Sequence, residues 1–218
     1  MSVLTACSSD DNNDNGGNGN NGNGNEIENG TTLKGTITSD VTLTAGSTYK
    51  LSGEYIVEDG ATLNIEAGVK IISIYDDIVD YILVKQGGKI NAVGTSSAPI
   101  VMTSEKEEPG AWGGIHICGK AHTNAEGGKG SSEIGGATYG GNDDADNSGT
   151  LKYVRVEYSG YAFDSEHEAN GITFYGVGNG TTVEYCQAYK GSDDGFEFFG
   201  GSVNVSNLVS VSCSDDSF

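Results

Sequence analysis

The 218 residues carry 31 acidic against 11 basic side chains, a net charge of −20, and Arg155 is the sole arginine. That balance argues against nucleic acid as a partner, since phosphate contacts come mainly from arginine and lysine. It suits calcium-rich surroundings and neutral glycans better than polyanions. No run approaches the ~20 apolar residues of a membrane-crossing helix, and 35 glycines against 2 prolines point to corners made by glycine and asparagine at positive φ.

Taken from the start, Leu4-Thr5-Ala6-Cys7 resembles a bacterial lipobox, in which the cysteine becomes a lipidated N-terminus. Six residues precede Cys7, fewer than a charged region plus an apolar region of about 7–15 residues require, so the start is expected to be truncated. Residues 8–30 are low-complexity Asn, Gly and Asp with almost no apolar surface to offset ordering entropy, and read as a disordered tether spanning about 25–30 Å r.m.s.. The acidic Ser8-Ser9-Asp10-Asp11 is similar to sorting signals of surface-exposed Bacteroidetes lipoproteins. Residues 1–7 are thus the remnant of a lipoprotein signal, 8–30 a tether, and 31–218 the folded domain. Contact with a membrane is expected only through a lipid anchor at Cys7.

From about Thr31 short strands alternate apolar with polar residues: Val41 and Leu43, Leu63 and Ile65, Ile82 and Val84, Ile115 and Ile117. Period 2 puts each pair on one face of a strand. A hairpin meander would fit that alternation alone. The repeat spacing favours a solenoid instead. Ser-Asp-Asp recurs at 192–194 and 214–216, 22 residues apart, and Gly171 and Gly195, which open GITF and GFEF, are 24 apart. Units of about 20–25 residues built only from strands and turns predict an all-β solenoid of six or seven coils. Its inside is committed to packing, so function belongs on its outside. Two insertions break the rhythm, a charged turn at 104–111 and a glycine-rich stretch at 120–150, which is the first place to look for a binding face.

WGGIHICGKA (112–121), YGGNDDADNSGTLKYVRVEYSG (139–160), NGITFYGVGNGTTVEYCQAYKGSDDGFEFFGG (170–201) and the final SDDSF together resemble a family of Bacteroidetes surface lipoproteins. The resemblance covers roughly 31–218. It implies a right-handed parallel β-helix, displayed on the outer membrane of a Gram-negative cell, and further coils beyond Phe218. Members are often hypothetical or mislabelled as transporters, a label that fails because nothing here spans a bilayer. The resemblance implies fold and address, not a reaction.

Several residues could carry chemistry. If Asp193 and Asp194 stack on Asp215 and Asp216, the repulsion at an effective dielectric of 20 is about 3 kcal/mol per pair. Such a column is either well solvated or neutralised by a cation, for which Ca²⁺ is suited and Glu197 could add an oxygen. The plainer reading has Asp-Asp capping backbone N–H groups at a turn. Asp144, Asp146 and Ser148 match the opening of a calcium loop, but position twelve is Arg155 and no helices flank it, which excludes an EF-hand and leaves a looser Ca²⁺ loop or an acidic turn. Trp112, Tyr139, Tyr161 and Tyr189 are candidates to stack on sugar rings if they face outward; the competing reading packs such aromatics inside. His116, flanked by Ile115 and Ile117, is expected to face outward. Cys186 and Cys213 could pair, although packing in the solenoid wall is the better supported reading. The sequence therefore favours non-catalytic recognition of a glycan or other surface polymer, assisted by Ca²⁺. The alternatives are a polysaccharide hydrolase or lyase using Asp193, Asp194, Asp215 and Asp216, and a structural adhesin stalk.

Overall fold

The computed structural model of the protein describes residues 25–164 and 167–218. Strands β1 (Asn25–Ile27) and β2 (Thr32–Ile37) begin the winding, followed by β3 (Val41–Leu43) and the long β4 (Thr48–Val57). The next turns consist of β5 (Thr62–Ile65), β6 (Lys70–Ser73) and β7 (Tyr81–Val84), then β8 (Lys89–Val93), β9 (Ile100–Ser104) and β10 (Ile115–Cys118). A small antiparallel pair, β11 (Gly130–Ser131) and β12 (Thr138–Tyr139), lies in the long insertion. The winding resumes with β13 (Gly149–Lys152), β14 (Val154–Glu157) and β15 (Ile172–Tyr175), continues through β16 (Thr182–Glu184), β17 (Gln187–Tyr189) and β18 (Phe196–Phe199), and reaches β19 (Asn204–Ser206) and β20 (Val209–Val211).

Outside that insertion, each strand pairs in parallel with its counterpart one coil away. The first face stacks β1-β3-β5-β8-β13-β16-β19. The second stacks β4-β6-β9-β14-β17-β20 and the third β4-β7-β10-β15-β18, with β2 also on β4. β4 serves both because it turns at Gly53, φ 69°, with Thr48–Leu51 on β6 and Glu54–Val57 on β7. The fold is a parallel β-helix, with the right-handed sense that parallel crossovers take. Asn25–Ile27, which falls inside the expected tether, pairs with Val41–Leu43 and completes the first face. Cys7 and most of the expected tether lie outside the described residues.

Inward positions form unbroken apolar columns. Leu43, Ile65, Ala92, Leu151 and Val183 stack on the first face, and Ile82, Ile115, Ile172 and Phe196 on the third, all buried. Burying each large side chain contributes about 1.5–3 kcal/mol. Glycine holds many of the positive-φ corners, as expected, among them Gly46, Gly60 and Gly68, but tyrosine enters one corner column. Tyr153, Tyr185 and Asn207 occupy one corner column at φ 51°, 55° and 56°, where the two tyrosine rings stack at 4.8 Å and 8°. Left-handed backbone is unfavourable for a bulky residue, and the ring stacking offsets part of that cost.

A second apolar cluster lies outside the third face. Ile134, Ala137 and Tyr139 of the insertion pack over Leu83, Cys118 and Tyr175. His116 does project outward, as its alternation requires, but it is buried beside this cluster, 0% exposed. Its Nε2–H donates to the Gly113 carbonyl at 2.7 Å, and burial pushes its pKa down to about 4. Cys118, Cys186 and Cys213 are all free thiols.

Candidate functional site

The edge between the second and third faces carries the bends that matter. Each coil crosses it in a loop that leads into the third face, so residues just before β10, β15 and β18 stack. Ile115 N–H bonds Gly171 O at 3.1 Å and Ile172 N–H bonds Gly195 O at 3.2 Å. The 24-residue glycine spacing has a steric cause: a Cβ on Gly171 would lie 2.3 Å from Gly195 O. Without a side chain there, the bends close against one another, and Gly171 N–H reaches Asp194 O at 2.9 Å.

The two Ser-Asp-Asp bends stack directly. Ser214 N–H donates to Gly191 O at 3.0 Å, Gly195 N–H to Asp216 O at 3.0 Å, and Asp216 N–H to Asp194 Oδ1 at 2.9 Å. The capping reading holds for Asp194. Asp193, Asp194 and Asp215 each present a carboxylate oxygen, all within 4.8 Å of one another. Among the described residues this is the group of acidic, His or Cys side chains able to hold a metal ion.

Around them a depression of about 230 Å³ is completed by Glu197 from β18, Glu168 and Asn170 from the loop before β15, and Glu133 from the insertion. No lysine or arginine lines it. Asn170 is 2% exposed, and its Nδ2 donates to Glu197 Oε2 at 2.5 Å and Thr173 Oγ1 at 3.3 Å. The electrostatics follow from crowding in a partly dehydrated hollow. Burial, then Glu168, Asp194 and Asp215, push Asp193 up to about 6. Burial and Glu133 push Glu197 up to about 7 against the opposing Asn170 bond. Asp194 and Glu133 are also raised, chiefly by burial.

Other candidates are placed differently. Asp216 is exposed and does not line the depression. The proposed calcium loop does not assemble: Asp144 Oδ1 is bonded to His122 Nδ1 at 2.7 Å, while Asp146, 9% exposed, accepts from Ser148 Oγ at 3.3 Å. These residues form the acidic turn, its carboxylates engaged in local bonds. Trp112 is not a stacking platform. It is 1% exposed, and its indole N–H donates to Glu157 O at 2.7 Å. Tyr139, 7% exposed, is held beneath the insertion against Tyr175 at 5.2 Å. Tyr189 is half-buried, with the Arg155 guanidinium 4.7 Å from its ring centre. Tyr161 is half-buried beside a separate groove.

Sequence reasoning missed Glu133, Glu168 and Asn170. Asn170 was within reach, since it precedes Gly171 as Asp194 precedes Gly195. The two glutamates had no such signal, because long loops deliver them.

The model of the pectate-lyase-like beta helix domain family matches residues 35–218. The chain belongs to this family. Membership accords with the parallel coils and fits a carbohydrate-related β-helix protein. No curated protein and no solved structure matches the chain. In this pectate-lyase-like β-helix the acidic hollow sits where stacked bends meet the third face, lined by Asn170 and Asp194, the residues that precede Gly171 and Gly195. Chemically it offers hard oxygen donors for a divalent cation and carboxyl groups that exchange protons near neutrality.

Proposed function

We propose that this protein is a non-catalytic glycan-recognition β-helix whose acidic hollow takes up Ca²⁺, the ion completing contact with sugar hydroxyls. The observation that carries this reading is the convergence of Asp193, Asp194 and Asp215 oxygens within 4.8 Å, in a hollow that crowds their charge. An all-oxygen donor set fits Ca²⁺, which takes six to eight oxygens. Three protein ligands leave room for water or hydroxyl oxygens. The absence of lysine and arginine from the lining favours a neutral polymer over a polyuronate. The test is glycan binding by the full chain with Ca²⁺ and with chelator. Binding to a neutral polysaccharide that falls when calcium is removed supports the reading; calcium-independent binding removes the ion from it.

A second reading is favoured by one specific observation, the elevation of Glu197 to about 7 and Asp193 to about 6. A carboxylic acid that stays protonated near neutrality beside an ionised one is the pairing a glycosidase uses. Release of reducing ends from a polysaccharide, abolished by Glu197→Gln, would establish it.

We also propose that Cys7 carries a lipid anchor and that Asn- and Gly-rich residues hold the β-helix off the outer membrane at the cell surface. Lipid labelling lost in Cys7→Ala, with surface accessibility to protease in intact cells, tests this address.

A further inference from the structure

A second depression, of about 360 Å³, lies on the same edge and is formed by the loop between β6 and β7 together with Tyr161. Its lining combines two tyrosine rings, Tyr75 and Tyr161, with the carboxylates of Asp76 and Asp77 and the alkyl group of Ile78. Ile78 is 60% exposed and Tyr75 47% exposed, so the loop presents apolar surface to solvent. Lys106 Nζ bonds Tyr75 Oη at 2.8 Å and lies 4.4 Å from its ring centre, which steadies that ring. Phe163 packs edge-on against Tyr161 at 5.1 Å and steadies the other.

The groove is tied to the acidic hollow by one loop. Ala169 N–H donates to Tyr161 O at 2.9 Å, closing the segment on itself, so the same loop contributes Tyr161 to the groove and Glu168 and Asn170 to the hollow. Aromatic rings offer their faces to the C–H surface of a pyranose, and ionised carboxylates are acceptors only, suited to hydroxyl donors. Lys106, the cation beside the groove, is engaged by Tyr75 and by Glu108 at 3.0 Å, so a carboxylated or sulfated sugar would meet Asp76 and Asp77 in a net negative setting.

We propose that this groove is a subsite for one neutral pyranose of the glycan, with Tyr161 as the stacking platform and Asp76 and Asp77 accepting ring hydroxyls. The inference rests on the glycan-binding reading above and adds to it the class of sugar and a second place of contact.

The test is titration of the full chain, with calcium present, against soluble neutral glucans, xylans and mannans and against polygalacturonate. At least one neutral polymer is expected to bind. Tyr161→Ala should weaken that binding about tenfold, Tyr161→Phe should retain it, and Asp77→Ala, on an exposed loop, should weaken it without moving the melting temperature. Should Tyr161→Ala unfold, Asp77→Ala and Tyr161→Phe still decide the matter. Wild-type affinity in both Tyr161→Ala and Asp77→Ala overturns the groove while leaving glycan binding intact. No binding of any neutral polymer by the wild type overturns both. Tighter binding of polygalacturonate overturns the neutral-sugar assignment alone.

Discussion

The backbone N–H of Asp216 donates to a carboxylate oxygen of Asp194 one coil away, at 2.9 Å. One carboxylate thus locks two bends together while its neighbours Asp193 and Asp215 crowd the same hollow. Structure and charge pull in opposite directions there. Asp193→Asn, which removes a charge crowded by Glu168, Asp194 and Asp215, is expected to raise the melting temperature in chelator. Asp194→Ala, which removes the acceptor for Asp216 N–H, is expected to lower it, by about 1 kcal/mol of stability. Thermal unfolding of both variants checks the pair.

The raised carboxyls set a pH dependence. Asp193 and Glu197 bind protons more tightly folded, at about 6 and 7, than their ordinary 3.8 and 4.5. Between those limits the folded state holds more protons than the unfolded one, so their contribution to stability falls as pH rises from about 4 to about 7. His116 has the opposite sign. Its folded pKa of about 4 lies below the ordinary 6.5, so stability is lost as pH falls through that window. The wild-type profile sums the two. Subtracting the profile of Asp193→Asn isolates what Asp193 contributes, both directly and through its repulsion of Glu197, a difference expected to shrink as calcium saturates the hollow. A proton titration of His116 by NMR should find it neutral, with the proton on Nε2, down to about pH 4.

Trp112 and Tyr161 separate packing from binding. Trp112→Phe leaves the Glu157 carbonyl without its indole donor and should cost on the order of 1–2 kcal/mol of stability with no change in glycan affinity. The reverse is expected of Tyr161→Ala. Denaturant unfolding beside glycan titration distinguishes them.

Gly171→Ala places a methyl carbon 2.3 Å from Gly195 O. The backbone between coils must give way, so a loss of about 1–3 kcal/mol is expected. The lining of the hollow should be disturbed too, and calcium affinity should fall together with stability.

Much of the coil architecture was legible from residue order. Period-2 alternation at Leu63 and Ile65 or Ile115 and Ile117 gave the inward columns, and the 22-residue return of Ser-Asp-Asp gave the stacking of bends. Coverage was not legible. Alternation says that His116 points away from the coil axis, yet it is buried beside the second apolar cluster, whose Tyr81 and Tyr175 rings lie 6.2 Å from its own. The same applies to Tyr139, whose exposure depended on where a long insertion came to rest. The glycine corners were legible, but the tyrosine corner column was not, because in an isolated turn it is glycine that relieves left-handed strain. In a stack, Tyr153 and Tyr185 can occupy that conformation with their rings in contact. Of the acidic hollow, the residues inside the repeat could be read, whereas Glu133 and Glu168 arrive on loops whose paths no local pattern specifies.

Calorimetric titration of Ca²⁺ into chelator-treated full chain, beside Asp193→Asn/Asp215→Asn, is the most direct measurement. Uptake of calcium by the wild type with a matching rise in melting temperature, both lost in the double variant, is the expected result. Absence of heat and of any melting shift at millimolar Ca²⁺ would contradict a cation-holding hollow.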